Sequence, residues 1–352
     1  KQEGKGLSSR QAVEFSSRYT VVTQYNDTAT SFSATVFKDA SGNHTLAIRG
    51  TLEAGDFVPT DQDIWQRGAG YDQIVAMVNW WKRETTSAGQ MVQQYEVRSV
   101  LDGVDPVPPG AVLLYKTGGG GSLGLERAYY LTETAEAAAT GGLAGLAGEP
   151  LAVTGHSLGG HLAMAFGALF AQNTAGVTAF NAPGFLDSSA NQDFFTALGG
   201  SVPSGVATTN VIADQAQVGK APWNAIAGLH NRPGVAIDMP IEDQWLSNEP
   251  DTTSALNHSQ QTLTDALAVY AKLAEYDPSL SPGDFKAILG SAVAGTAGGL
   301  ERIVDGLQEL FQGETTPLAV GNANREQLYQ ALFDLPEGTG GNPIIALDGL
   351  ST

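Results

Sequence analysis

The run LAVTGHSLGGHLAMAFGALF, residues 151–170, decides how this chain is read. It opens on Leu151 to Thr154, a short apolar stretch of the kind that forms a buried strand. It closes on the uncharged, helix-forming run His161 to Ala171. Between the two lies Gly155, His156, Ser157, Leu158, Gly159, a serine framed by glycines. A serine on a sharp turn between strand and helix stands clear of its neighbours, and small flanking residues are needed because the chain folds back on itself. The helix that follows aims backbone N–H groups and the positive end of its dipole at charge developing beside the serine. Ser157 is therefore a candidate nucleophile, and the backbone N–H of Leu158 a candidate oxyanion donor.

The same spacing occurs a second time, at Gly120, Gly121, Ser122, Leu123 and Gly124, as a chain with 43 glycines allows. Ser122 sits six residues beyond Lys116 in a glycine loop, without a buried strand directly before it, and is assigned no catalytic role. That Gly118–Gly124 loop also matches G-x-G-x-x-G through Gly119, Gly121 and Gly124, following an apolar run and preceding a segment rich in helix formers. A nucleotide-binding module is thus a competing reading. It requires an acidic residue ending a second strand about 20 residues later, where this chain continues into a glycine-rich stretch.

Working outward, Phe32–Phe37 and Thr45–Ile48 flank the turn at residues 39–43 and predict a β-hairpin. Tyr71, Ile74, Val75, Val78 and Trp81 recur at helical spacing up to Thr85. Residues 111–115 predict a strand, Leu125–Ala139 a helix ended by Gly141 and Gly142, and Val177–Phe180 and Thr208–Ala213 two more strands. From residue 256 helical patterns dominate, at 263–273, 285–293, 300–311 and 325–332. Alternating strands and helices predict an α/β fold, a mostly parallel central sheet flanked by helices, with a helical C-terminal portion. The expected domains are a catalytic domain over 1–280, with lid elements within 52–124, and a helical extension over 281–352. That extension ends in linker-like sequence from Pro336, and Lys1 at the start leads us to expect a processed or truncated chain.

The chain has 352 residues, 42% of them apolar, which is ample for a large core. With 37 acidic and 18 basic residues its net charge is −19, which repels nucleic acid. Cysteine is absent, so disulfides, thiolate metal sites and cysteine nucleophiles are excluded together.

In serine hydrolases of the α/β type the acid and histidine follow the nucleophile along the chain. Of five histidines, His44 lies upstream, while His156 and His161 belong to the turn and its helix, in packing or pocket-lining positions. His230 and His258 remain. His258 is preferred because it opens a helical run that would support an imidazole; His230 is second. Asp214, directly after the strand Thr208–Ala213, is the preferred acid, placed to accept the imidazole N–H and fix its tautomer, with Asp238 as the alternative. A second oxyanion donor must come from an earlier strand end, and Thr51, after Ile48, Arg49 and Gly50, is suited to supply it.

These segments, with Leu46–Thr51, Gly155–Gly160, Phe180–Gly184, Asp214 and Asn257–His258, resemble the class 3 lipase superfamily of α/β-hydrolases, including secreted bacterial lipases and phospholipases of the RTX type. The resemblance implies a triad of Ser157, Asp214 and His258, an oxyanion hole at Thr51 and Leu158, and a carboxylic ester of a lipid as substrate. It implies an acyl-enzyme, no organic cofactor, a secreted bacterial protein and transient contact with a lipid interface. Phospholipase A and polyester-type carboxylesterase are the alternatives within that class, and a catalytically dead binding module lies outside it. Related lipases use structural calcium, and Asp56, Asp61 and Asp63 form an acidic loop for a hard cation. Phe57, Ile64, Trp65, Val78, Trp80 and Trp81 exceed what one core-facing helix accounts for and are candidates for a lid; permanent packing against the sheet is the alternative, and the preferred one for Trp80 and Trp81 within the predicted helix.

Overall fold

The computed structural model describes residues 6–50, 60–118, 126–205, 207–213, 227, 229–242, 258–293, 298–313, 316–321 and 324–338. Two compact units divide the chain. One, the elbow unit, spans residues 21–210 and 228–234; the other joins residues 1–20 to 211–227 and 235–352.

The N-terminal residues outside the predicted elements form helix α1 (Ser9–Arg18) and strand β1 (Tyr19–Asn26). The predicted hairpin is β2 (Ser33–Asp39) and β3 (His44–Ile48), antiparallel with Ala34 opposite Ile48 and Lys38 opposite His44. Next come α2 (Gln62–Arg67) and α3 (Tyr71–Thr85), then strands β4 (Met91–Leu101), β5 (Val112–Thr117) and β6 (Arg127–Ala138). The decisive segment is β7 (Leu151–His156) followed by α4 (Leu158–Leu169), and the unit continues with β8 (Thr174–Phe180), α5 (Ser189–Ala197) and β9 (Thr208–Ala213).

In the elbow unit the main sheet runs β1-β2-β3-β7-β8, with the first half of β9 beyond β8. β3 pairs parallel with β7, and β7 parallel with β8, Gly155 lying opposite Ile48 on one side and Ala179 on the other. A strand paired on both edges must satisfy its apolar faces above and below the sheet, hence the run Leu151 to Thr154. The fold is thus the expected α/β arrangement, a mixed sheet of mostly parallel strands with helices packed on it.

One expectation fails. Residues 127–138, predicted helical, form β6, the middle strand of a separate antiparallel sheet ordered β4-β6-β5. Its alanines and glutamates favour helix, but Tyr129, Tyr130, Thr132 and Thr134 favour a pleated surface, and hydrogen bonding along both edges overrides the local propensity. A strand on each side of the Gly118–Gly124 loop also removes the helix that the nucleotide-binding reading requires.

The aromatic surplus of residues 64–81 has a packing explanation. Helix α3 lies between α4 on one side and β4 on the other, so it is covered over two faces. Trp80 and Trp81 are each 1% exposed, and Ile64 and Val78 are also in the core. Trp81 meets Phe166 edge-on with centroids 4.9 Å apart. Trp65 alone among the described residues of that group stays outside, 58% exposed; Phe57 lies outside the described residues.

The second unit contains the other half of β9, β10 (Val235–Met239) and four further helices, α6 (Gln260–Tyr276), α7 (Pro282–Val293), α8 (Gly299–Gln312) and α9 (Arg325–Asp334), close to their predicted spans. α1 belongs here as well. Arg325 forks onto the Asp265 carboxylate, which also accepts the Tyr329 hydroxyl at 2.6 Å.

Candidate active site

Ser157 has φ 56° and ψ −124°, a backbone conformation that non-glycine residues adopt only where the surroundings impose it. The surroundings do so here. Its N–H donates to the Phe180 carbonyl at 2.8 Å, and its carbonyl accepts from His161 N–H as the first bond of α4. On either side the glycines leave no room for a side chain. A Cβ on Gly155 would collide with the Gly159 backbone, and one on Gly159 with the backbone of Ile48 and Arg49. A Cβ on Gly160 would sit 2.6 Å from that of Ala182. Crossing strand, turn and helix are thus pressed together, and Ser157 is held at the apex with the N-terminus of α4 starting at the next residue.

The first half of this site was legible in the sequence, and the glycine contacts add a third participant. Gly50 lies against the turn: a Cβ there would be 2.6 Å from the His156 carbonyl oxygen. The end of β3 therefore abuts the elbow one residue before Thr51. Leu158, 2% exposed, places its backbone at the first position of α4. Thr51 and Asp214 lie outside the described residues.

The stretch Phe180–Gly184 acts as a brace behind the turn. The Asn210 side chain accepts from Ala182 N–H at 3.3 Å and donates to the Ala182 carbonyl at 2.9 Å, and Ala182 is the residue that Gly160 rests on. Gly184 passes so close to Asn231 that no Cβ fits between them. Sequence reading did not single out Asn210; an asparagine inside an otherwise fully buried strand was the available signal.

The histidines separate by environment. His161 is fully buried; its Nε2 accepts from Gly70 N–H and its Nδ1 faces the Pro183 carbonyl, each at 3.3 Å, so the proton resides on Nδ1. The ring stacks on Phe185 with centroids 3.9 Å apart. Burial pushes its pKa down to about 3, against the pull of the Pro183 carbonyl. It is a neutral packing residue. His230, at φ 59°, directs Nε2 at the Ile64 carbonyl, 2.6 Å away, and so ties α2 in place. His258 is half-buried in a turn two residues ahead of α6, in the second unit, while Ser157 is in the elbow unit. Asp238, the alternative acid, is exposed within β10.

At the expected cation loop, Asp63 is buried and paired with Arg67 one turn on, whose guanidinium also lies 3.6 Å over the Tyr115 ring. Burial pushes the Asp63 pKa up to about 7, with Asp72 adding repulsion and Arg67 opposing it. Asp56 lies outside the described residues, and among those described no three acidic or histidine side chains converge as a metal site needs.

No family model and no curated protein matches the chain. Solved structures similar to it include a triacylglycerol lipase from Penicillium expansum, 15% identical over 67% of this chain and 77% of that one, with a TM-score of 0.25. Another is a lipase from Rhizopus microsporus var. chinensis, 12% identical over 78% of this chain and 76% of that one, with a TM-score of 0.27. At these identities and scores neither likeness bears on substrate or mechanism.

Proposed function

We propose that the chain is a serine carboxylic ester hydrolase acting on esters of lipids. The observation that carries this reading is the strained backbone of Ser157 at the apex of the turn from β7 into α4. Strain of 1–3 kcal/mol at a single residue persists where the fold over-determines it, and it concentrates at reactive positions.

In the mechanism this implies, His258 takes the proton from the Ser157 hydroxyl as its oxygen adds to the ester carbonyl. The carbonyl oxygen becomes an oxyanion, received by the N–H groups of Leu158 and Thr51. The tetrahedral intermediate collapses, the C–O bond to the alcohol breaks, and the alcohol departs with the proton held by His258. Water, deprotonated by the same imidazole, then releases the acid. Asp214 holds the imidazole tautomer throughout. No organic cofactor enters, and the protein is a secreted one that touches lipid interfaces transiently, Trp65 being the exposed apolar side chain of α2 available for that contact.

Labelling with a fluorophosphonate tests the reading. The parent chain should be labelled once, at Ser157, and Ser157→Ala should be neither labelled nor active while melting at the parent temperature. Retained activity in Ser157→Ala overturns it. Rates across p-nitrophenyl esters of rising chain length, with triglyceride and phospholipid emulsions alongside, separate lipase from phospholipase A and short-chain esterase.

A further inference from the structure

The second unit carries an open groove of about 720 Å³. Sites for small organic ligands run from about 300 to 1,000 Å³, and the groove falls in that range. One wall is α1, whose residues Leu7, Gln11, Glu14, Phe15 and Arg18 line it at helical spacing, yet no residue within α1 is fully buried. A ten-residue helix has little stability alone and relies on packing of its apolar side. Here its position is fixed by polar ties at one end. Glu326 accepts from the N–H groups of Ser9 and Arg10, and Arg325 donates to the Gly6 carbonyl. The apolar side of α1 is thereby held over a space instead of against a core.

The opposite wall is built to keep that space open. Helix α6 turns Ala268 and Ala271 toward it, one turn apart, and α9 adds Leu332 and Phe333. The cation on this wall, Lys272, is fully engaged, donating to Glu275, to the Leu335 carbonyl and to the Pro336 carbonyl. Arg18 differs. Its contact with Glu14 is 3.8 Å long, and both side chains are about one-third exposed, so the pair contributes little and yields readily to a better partner. Tyr19, the next residue, lines the groove too and stacks on Phe15.

We infer that this groove binds a single-chain acyl amphiphile, a long-chain fatty acid, with the chain between α1 and α6 and the carboxylate on Arg18. The apolar walls and small floor residues match an alkyl chain, and Arg18 is the lining cation whose hydrogen bonds are not already committed among the described residues. Describing the ligand as a product of the enzyme rests on the proposed hydrolase reading; the binding itself does not. The site lies wholly within the unit that does not contain Ser157.

The test is equilibrium binding of hexadecanoate to the full Ser157→Ala chain, followed by displacement of a dansylated undecanoic acid, with hexadecanol and a lysophospholipid as comparison ligands. Saturable one-to-one binding is expected. Filling the floor with Ala271→Leu should weaken it at least tenfold, and Arg18→Gln should weaken hexadecanoate several-fold while leaving hexadecanol unchanged. Absence of saturable binding overturns the inference, as does binding indifferent to Ala271→Leu in a variant that melts normally. Should Ala271→Leu fail to fold, the surface change Arg18→Gln decides alone: equal affinity for acid and alcohol in both proteins overturns the carboxylate assignment. A chain that binds hexadecanoate but hydrolyses no ester refutes the proposed function and leaves this site standing; the reverse result does the opposite.

Discussion

The two units handle space in opposite ways. Around Ser157, four glycines exist because nothing larger fits, and Trp80, Trp81, Phe166 and Phe194 fill the layers on either side with essentially no exposure. Between α1 and α6, alanines face a groove, Phe15 is 39% exposed, and position is set by hydrogen bonds from Arg325 and to Glu326 at the helix start. Tight packing transmits force to one residue and holds a strained turn in a single geometry. Loose packing leaves a volume that something else can enter. The comparison teaches that the same chain assigns rigidity to the turn bearing the proposed nucleophile and open volume to the unit bearing His258.

The largest effect expected concerns the proposed base. His258→Ala should lower kcat by about 10⁴ or more, as removal of a triad base leaves only oxyanion stabilisation and binding. His230→Ala should instead cost stability, about 1 kcal/mol for the lost bond to the Ile64 carbonyl, with a far smaller change in rate. Steady-state kinetics and thermal melts on both variants check this; a larger rate loss at His230 would reverse the assignment.

Next in size is packing itself. Phe166→Ala, at a fully buried position, should destabilise by about 3–5 kcal/mol, and Phe15→Ala by about 1 kcal/mol or less. Equal costs in urea unfolding would erase the contrast between the units. Glycines sharpen it further. Gly155→Ala should cost about 3 kcal/mol through collision with the Gly159 backbone, whereas Gly145→Ala, with nothing within 4 Å of the new methyl group, should be neutral or stabilise by about 0.5 kcal/mol.

The smallest effect is a pH dependence. The Asp63 carboxyl titrates at about 7 in the fold, above its unfolded value of 3.8, so the folded chain holds this proton more tightly than the unfolded one. Stability from this group is therefore present below pH 4 and declines as pH rises toward 7. Asp63→Asn should flatten that decline, its Tm relative to the parent being higher at pH 8 than at pH 5. A parallel shift at both pH values would show that Asp63 is ionised throughout.

Legibility in the sequence followed how local each determinant is. The turn at Ser157 was readable because strand, glycines and helix are contiguous, and α3 and the C-terminal helices because their apolar period lies within single segments. β6 was not, because its neighbours β4 and β5 impose strand on alanines and glutamates that favour helix. The roles of Asn210 and Gly50 were hidden for the same reason. Each acts on residues distant in the chain, Asn210 on Ala182 and Gly50 on His156, so its partner cannot be read from its neighbours in sequence.

The parallel pairing of β3 with β7 has a consequence for how the molecule is made. Thr45 finds its partner at Ala152, about a hundred residues later, and the β4-β6-β5 sheet is synthesised in between. Pairings of such sequence separation close late, because the entropy of the intervening loop must be overcome first. Local hairpins such as β2–β3 form early, and the close approach of Gly159 to the end of β3 arises only when that long loop closes. A nascent chain therefore sets the strained turn at Ser157 as one of its last folding events, and under the proposed function the rate at which activity appears on refolding should track β3–β7 closure rather than the recovery of helix.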